Sequence, residues 1–349
     1  YFSLHSPENS GNLKGGTLTN TESQKSLLFL SSCYIIQTLQ NMIAETKLSE
    51  IVSLWKEDKK QYVKRSTFAA YTLLIENHIL PVFGKMTLVE ETNVQAFVFQ
   101  KLEEGLSHKT IKDILIVLKM ILRFGVKNQM IEYRQIDIKF PTERNKHTID
   151  ILCRSHHRFI MEHIQAHFTF KNLGIYICLS TGIRIGEICA LTWDDLDVEN
   201  GIIHIRKTIQ RIYIVDEGQK RTEVILDTPK TKNSIREIPM TKDLLKIIRP
   251  IKKVVNGCFY VLTNDPKPTE PRTYRNYYKQ FMQSLGLPLM KFHGLRHSFA
   301  TRCIESKCDY KTVSVLLGHS NISTTLNLYV HPNLEQKKRC MNQMARLLK

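Results

Sequence analysis

The chain has 349 residues, of which 42% are hydrophobic and 24% charged, with a net charge of +17. That length accommodates two domains and an appendage, and no apolar run approaches the length of a membrane span, so no membrane protein is expected. The positive surplus lies beyond residue 45, because residues 1–45 carry Lys14 and Lys25 against Glu8, Glu22 and Glu45. A surplus of this kind favours a polyanionic partner through counterion release, although charge alone fits a basic protein without nucleic acid, or one on acidic membranes, as well.

The chain opens on Tyr1 rather than Met, so no leader is read from it. Residues 1–27 are rich in Ser, Asn, Gly and Thr, and residues 28–45 are more apolar. Residues 1–45 are therefore read as an N-terminal tail or a remnant. Beyond them, Ile51, Leu54, Trp55 and Tyr62 mark one apolar helical face. Ser66 is expected to cap a helix through Phe68, Tyr71, Leu74 and Ile75, ended by Pro81 and Gly84. Asn93 is expected to cap a third helix, which stops at Gly105, and Ser107 a fourth. In the fourth, Ile111, Ile114, Leu115, Leu118, Ile121 and Leu122 keep the spacing of a core face. Lys101, His108, Lys109, Lys112, Lys119 and Arg123 are expected off that face. Residues 46–135 thus read as a four-helix unit with a basic exterior, suited to DNA, though simple solvation explains any single lysine.

Residues 136–147, with Pro141 and several charges, read as an interdomain linker, and residues 148–349 as a second domain. A weak helical pattern over 148–172 precedes an apolar stretch over 173–192. Ile202–Ile205, Ile209–Val215 and Val224–Leu226 cluster β-branched residues as strands do, and Ile235–Pro239 is expected to close their sheet. Pro229 and Asn233 predict a hairpin turn. After Thr241 the pattern is helical to the C-terminus, where Met341, Met344, Leu347 and Leu348 keep near-helical spacing. The expected fold is mainly α with a small antiparallel β-sheet, an α+β class. Eight cysteines without a CxxC pair read as reduced core residues of a cytoplasmic protein.

Five polar residues carry the chemistry. Arg184 sits in Thr181-Gly182-Ile183-Arg184-Ile185-Gly186-Glu187, and His293 and Arg296 in His293-Gly294-Leu295-Arg296-His297. His319 sits in Leu317-Gly318-His319-Ser320, and Tyr329 follows ten residues later. In-line attack on a phosphodiester adds negative charge to the nonbridging oxygens, which arginine forks match and a lysine matches poorly. Glu187, one turn beyond Arg184, fits either a plain ion pair or a group that holds Arg184 in position. The Tyr329 hydroxyl, with an ordinary pKa of about 10, needs nearby cations and a proton acceptor to attack phosphorus. His293 and His319 suit hydrogen bonding to phosphate or proton transfer, whereas His297 reads as a structural helix residue. The leaving oxygen needs a proton, and the lysines of Thr228–Pro239 are candidates to supply it. Each residue alone is more often structural; the set points to DNA strand transfer without metal or cofactor.

The pattern resembles the tyrosine recombinases, or phage integrases. The Arg184 segment with Leu191-Thr192-Trp193 resembles their first arginine box, His293 through Thr301 their HxxR box, and Leu316 through Tyr329 their final box. The resemblance implies Arg184, Lys230, His293, Arg296 and His319 as activating residues and Tyr329 as nucleophile, with Lys232 as the alternative to Lys230. It implies a helical core-binding domain over 46–135 and a catalytic domain over 148–349 that form a C-shaped clamp. It further implies a 3′-phosphotyrosyl intermediate, no ATP or metal, and a homotetramer on two double-stranded DNA sites. A directionality factor or DNA-bending host protein is the accessory partner expected. The C-terminal tail is expected to pack on a neighbouring subunit or on its own domain. Residues 1–45 show no arm-binding domain of short strands. The long insertion between Arg184 and Lys230 favours a mobile-element integrase, of conjugative-transposon or prophage type. A type IB topoisomerase-like nickase and a catalytically silent DNA-site binding protein are the alternatives.

Overall fold

A computed structural model describes residues 46–142, 150–216, 219–229, 232–329 and 334–347. The chain divides into two compact units, Tyr1–Glu143 and Arg144–Lys349.

The described part of the first unit is helical. Helix α1 (Leu48–Tyr62) buries Leu48, Ile51, Val52 and Trp55, a stripe at helical spacing. Leu54 and Tyr62, expected on this face, are exposed at 47% and 72%, because Val52 continues the stripe instead. Helix α2 (Arg65–Leu74) runs into a π turn (Ile75–Ile79) and then α3 (Leu80–Phe83). Two expectations fail here. Ser66 lies inside α2, whose N-cap is Lys64. Pro81 does not end the helix, because it occupies the first turn of α3 just past the wider π turn, where its missing N–H costs little. In α4 (Glu91–Glu103) the cap is Glu90, and Asn93 sits three residues in, accepting the Glu90 N–H at 3.0 Å. Ser107 does cap α5 (His108–Lys127), accepting the Thr110 N–H at 3.1 Å.

The core of this unit gathers Trp55, Ile75, Ile79, Phe83, Phe97, Ile114, Leu118 and Ile121. Lys109, Lys112 and Arg123 face solvent as expected. Lys101 does not: it is buried and paired with Glu104 at 2.7 Å. Residues 131–142 are a strap on the helices rather than a bare linker. Ile136, Ile138 and Phe140 alternate onto the core, and the side-chain amide of Gln95 pairs with the Lys139 N–H and C=O, each at 3.0 Å. That period of two went unread because the charged residues between them dominate the stretch.

The second unit contains both sheets. Helix α6 (Arg154–Ala166) precedes α7 (Phe170–Thr181), which is capped by Thr169 and buried on almost every side. Helix α8 (Ile185–Ala190) follows, then a 3-10 turn around the fully buried Trp193. Strands β1 (Leu196–Asp197), β2 (Ile202–Ile205) and β5 (Arg236–Pro239) form one antiparallel sheet in the order β1-β2-β5. Strands β3 (Thr208–Asp216) and β4 (Gln219–Asp227) form a separate hairpin. The single sheet expected is thus two, since β5 pairs with β2, placing Ile203 opposite Ile238, and not with β4. The segment after Pro229 is accordingly no hairpin turn but a crossover between sheets, ending in a 3-10 turn at Lys232–Ser234.

Five helices follow among the described residues: α9 (Lys242–Lys252), α10 (Pro271–Ser284), α11 (His293–Glu305), α12 (Tyr310–Leu317) and α13 (Ile322–Tyr329). Thr241 caps α9, accepting the Leu244 N–H at 3.3 Å. A last helix, α14 (Leu334–Leu347), bears out the helical spacing of the C-terminal tail, with Met341 and Met344 exposed. The described cysteines are all free, but only Cys178 and Cys189 are core residues, their thiol pKa values pushed up by burial; Cys153, Cys258 and Cys308 are exposed. No helix among the described residues is long and apolar enough to cross a membrane.

Candidate active site

The site is organised by the C-terminal end of α12. The last carbonyls of a helix have no partner within it and carry the negative end of the helix dipole. Three consecutive ones, of Leu316, Leu317 and Gly318, each accept from a different arginine. Arg236 donates Nε–H to Leu316 O at 2.7 Å, Arg296 donates from Nη2 to Leu317 O at 2.7 Å, and Arg184 donates from Nη2 to Gly318 O at 3.0 Å. Gly318 ends α12 in the left-handed region at φ +65°, and a Cβ there would lie 2.9 Å from Asn233 O and 3.1 Å from Arg236 Cδ. Only glycine fits both the conformation and the space.

Each arginine is fixed at a second point. Arg184 is the N-cap of α8; its main-chain N–H donates to Glu187 Oε2 and its Nη1 to Glu187 Oε1, both at 2.8 Å. Arg236 grips the same carboxylate with two bonds, Nη1 to Oε1 at 3.0 Å and Nη2 to Oε2 at 2.9 Å. Arg296 also donates from Nη1 to Gly182 O at 2.9 Å. Gly182 ends α7 at φ +65°, where a Cβ would stand 2.5 Å from the Phe299 ring. The turn between α7 and α8 is thereby pressed onto α11.

Two guanidinium groups thus share one carboxylate. Burial alone raises the Glu187 pKa, but the bonds and charge of Arg236, then the charge of Arg184, outweigh it and hold the pKa below its ordinary 4.5. The histidines sit in the same cationic field. His319 has a pKa lowered to about 4, first by burial and then by Arg296, Arg184, His293 and Arg236. Its Nδ1 shares a 2.8 Å hydrogen bond with the hydroxyl of buried Thr325 on α13. His293 opens α11, its ring 4.7 Å from that of His297 and edge-on to it. Its pKa is also lowered, first by burial and then by His297, Arg296 and Arg184, with Glu187 opposing. His293 is exposed by surface area, so water at its open edge tempers that burial effect.

Arg184, His293, Arg296 and His319, chosen from the sequence, therefore converge from three elements onto one place. Lys230 lies outside the described residues, as does the side chain of Lys232. The backbone of Tyr329 ends α13, eight residues long, which begins three residues after His319; its side chain lies outside the described residues. Exposure separates the arginines: the Arg184 side chain is 33% exposed, whereas Arg296 is 2% exposed. Sequence reasoning missed Arg236. The signal was strand parity, because Arg236 and Ile238 alternate inward on β5 between exposed Glu237 and Pro239.

A cavity of about 420 Å³ lies instead in the first unit, lined by Leu48, Ile51, Met86, Leu122, Val126 and Ile131 among others. It contains none of the predicted site residues.

Comparison with known proteins places the chain by family and fold. Residues 157–336 match the phage integrase family, and residues 47–97 match the phage integrase N-terminal SAM-like domain. A tyrosine recombinase XerC-like protein of Caldanaerobacter subterraneus subsp. tengcongensis is 29% identical, covering 84% of this chain and 81% of its own. The ICEBs1 integrase of Bacillus subtilis is 27% identical, covering 79% of this chain and 76% of its own. Among solved structures, the Tn1549 transposon integrase in complex with transposon right end DNA superposes with a TM-score of 0.69 at 22% identity, covering 86% of this chain and all of that one.

Proposed function

The chain belongs to the phage integrase family, and on that premise we propose that it cleaves and rejoins DNA at specific sites with Tyr329 as nucleophile. The observation that carries the reading is the convergence of Arg184, Arg296 and His319 on the end of α12, directly ahead of the helix that Tyr329 ends.

In this reading a scissile phosphate lies against the exposed edge of Arg184, with Arg296 beneath it. The pentacoordinate transition state gains negative charge on the nonbridging oxygens, and guanidinium forks held from behind meet that charge without reorganising. Thr325 holds Nδ1 of His319, which turns Nε2 toward the phosphate. His293 is a second hydrogen-bonding or proton-accepting group. The Tyr329 oxygen bonds to phosphorus as the 5′ oxygen leaves. The phenolic proton passes to a neighbouring base, and Lys230 donates a proton to the leaving oxygen. The product is a 3′-phosphotyrosyl ester and a free 5′ hydroxyl, and attack by the 5′ hydroxyl of a second duplex reverses the step. The ester conserves the bond energy, so the step itself needs no external energy source. Arg296 is almost wholly buried in the free chain, so its contact with a phosphate requires what covers it to shift when DNA binds.

Several finer points belong to the same proposal. The substrate is double-stranded DNA at the ends of a mobile element, the assembly is a tetramer on two sites, and the compartment is the cytoplasm. Residues 46–135 form the core-binding domain, residues 136–147 connect it onward, and residues 148–349 form the catalytic domain. Helix α14, with Met341 and Met344 exposed, supports packing against a neighbouring subunit. A directionality factor or DNA-bending host protein completes the reaction. The topoisomerase-like and binding-only alternatives gain no support from relatives that carry recombinase and integrase names.

The experiment is incubation with a nicked suicide duplex carrying the element's ends, followed by a denaturing gel. The expected result is a protein–DNA adduct that disappears in Tyr329→Phe while the Kd for DNA changes by less than about threefold, since the hydroxyl serves chemistry rather than docking. An adduct that persists in Tyr329→Phe removes Tyr329 from the role.

A further inference from the structure

We infer that Arg236 is a positioning residue for DNA cleavage, which sets Arg184 and His319 together by clamping Glu187 to the C-terminal end of α12. The inference rests on the recombinase reading of the site and extends it to a residue outside the six proposed for the chemistry.

The two ends of Arg236 do different work. Its Nη1 and Nη2 bind both oxygens of Glu187, at 3.0 and 2.9 Å. Its Nε–H binds Leu316 O at 2.7 Å. Glu187 in turn orients Arg184 through its main chain and its guanidinium. Leu316 lies three residues before His319, on the turn that Gly318 bends sharply. One planar group therefore fixes the distance between the helix cap that carries Arg184 and the turn that carries His319. A lysine offers no such pair of opposed edges.

Burial supports a part in the site. The Arg236 and Glu187 side chains are only 4% and 3% exposed. A buried ion pair is costly to desolvate and adds little stability compared with apolar residues of the same volume. Its presence here calls for something beyond stability, and the geometry supplies it. The carboxylate alone could rotate, whereas the carboxylate gripped on two edges by Arg236 presents a fixed face to Arg184. Arg236 also lies at the start of β5, so the same clamp ties down the far end of the segment that leads from Lys230.

The position of Arg236 makes it unsuited to touching DNA itself. Its hydrogens are directed at Glu187, Leu316 O and Ser234 O. It acts through Arg184 and His319, and its loss should change how fast the phosphate is attacked rather than how tightly DNA is held. Misplacing a positioned group by about 1 Å costs on the order of 10²-fold in rate.

The test is single-turnover cleavage of the nicked suicide duplex at saturating protein, reading the rate constant and the final amount of adduct separately. Arg236→Lys keeps the charge that neutralises Glu187 and is the variant suited to fold. It is expected to cleave about 10- to 100-fold more slowly, with adduct amplitude and DNA Kd within about threefold of the parent chain. Arg236→Met combined with Glu187→Gln should be no slower than the slower of the two single variants, because both act on one unit. A merely structural arginine predicts the opposite pattern: reduced amplitude from a smaller folded fraction, with an unchanged rate constant. That pattern, or a parent-like rate in Arg236→Lys, overturns the inference. So does a double variant whose losses multiply. Failure of the underlying reading looks different, since the parent chain would then form no adduct, or Tyr329→Phe would still form one.

Discussion

Replacing Glu187 by Gln tests the electrostatic centre of the site. The change preserves shape but removes the charge that two arginines share. The new side-chain amide would also turn an N–H₂ toward main-chain and guanidinium donors, and because each oxygen accepts two of the four bonds to the carboxylate, two of them are replaced by donor–donor contacts. The Arg236 side chain, 4% exposed, cannot recover its hydration. Breaking a buried pair in this way costs about 3–5 kcal/mol, which for a unit of this size corresponds to a drop in Tm of roughly 6–20 °C. Acid adds a second signature. The carboxyl pKa is below 4.5 in the folded chain, so its pairing contributes fully above that value and is lost as the pH falls through the lower folded value. The difference in Tm between parent and Glu187→Gln should therefore be largest near neutral pH and shrink as the pH falls below the ordinary 4.5. Melting followed by circular dichroism across that range measures it. A variant melting within about 2 °C of the parent at pH 7 would refute the reasoning, as would a gap that does not change with pH.

Arg184→Lys keeps the charge but loses the planar fork, so suicide-duplex cleavage should fall by about 10²-fold with DNA affinity nearly unchanged; full activity removes Arg184 from the site. If the chain neutralises about six to ten phosphates, its DNA affinity should fall by about 10³- to 10⁵-fold between about 50 and 200 mM salt, and a flat response in a binding titration would contradict the reading of its charge. His319 should titrate at about 4 in the DNA-free chain. Its imidazole NMR signal should then stay still from pH 7 to about 5.5, and because the unfolded ring protonates near 6.5, its burial destabilises the fold as pH drops below that value. A midpoint near 6.5 would mean that His319 is not enclosed by Arg184 and Arg296.

The helix around Ile114 was legible because its apolar spacing reports a buried face directly, whereas the one around Leu173, buried on almost every side, read only as an apolar stretch. Helix starts were less so. Ser107 and Thr241 do cap, but Ser66 and Asn93 are the second and third residues of their helices, since a short polar residue serves at either place. Strand segments were found but not their partners. Both sheets present the same β-branched clusters, and whether β5 joins β2 or β4 depends on contacts between residues more than thirty apart. At the site, residue types that suit phosphate chemistry identified Arg184, His293, Arg296 and His319. Arg236 escaped because it meets no phosphate. Its partners are a carboxylate and a main-chain carbonyl brought close only by folding.

The arginine arrangement also explains why the site demands this side chain at three positions. An arginine has five N–H donors in a rigid plane, so it can spend one edge on protein and keep another for a ligand. Arg184 spends one hydrogen on Glu187 and one on Gly318 O while its side chain stays one-third exposed. Arg296 is bound to carbonyls on two separate turns, at Gly182 and Leu317. In the proposed reaction such anchoring lowers the freedom lost when a phosphate arrives and holds the charge where charge would develop. The end of α12 is the anchor because a helix terminus offers several unpaired carbonyls pointing one way. One turn, bent at Gly318, can thus organise three cations and deliver His319 beside them. The same turn leads into the helix that ends at Tyr329, so the proposed attacking and activating groups share a single short stretch of chain.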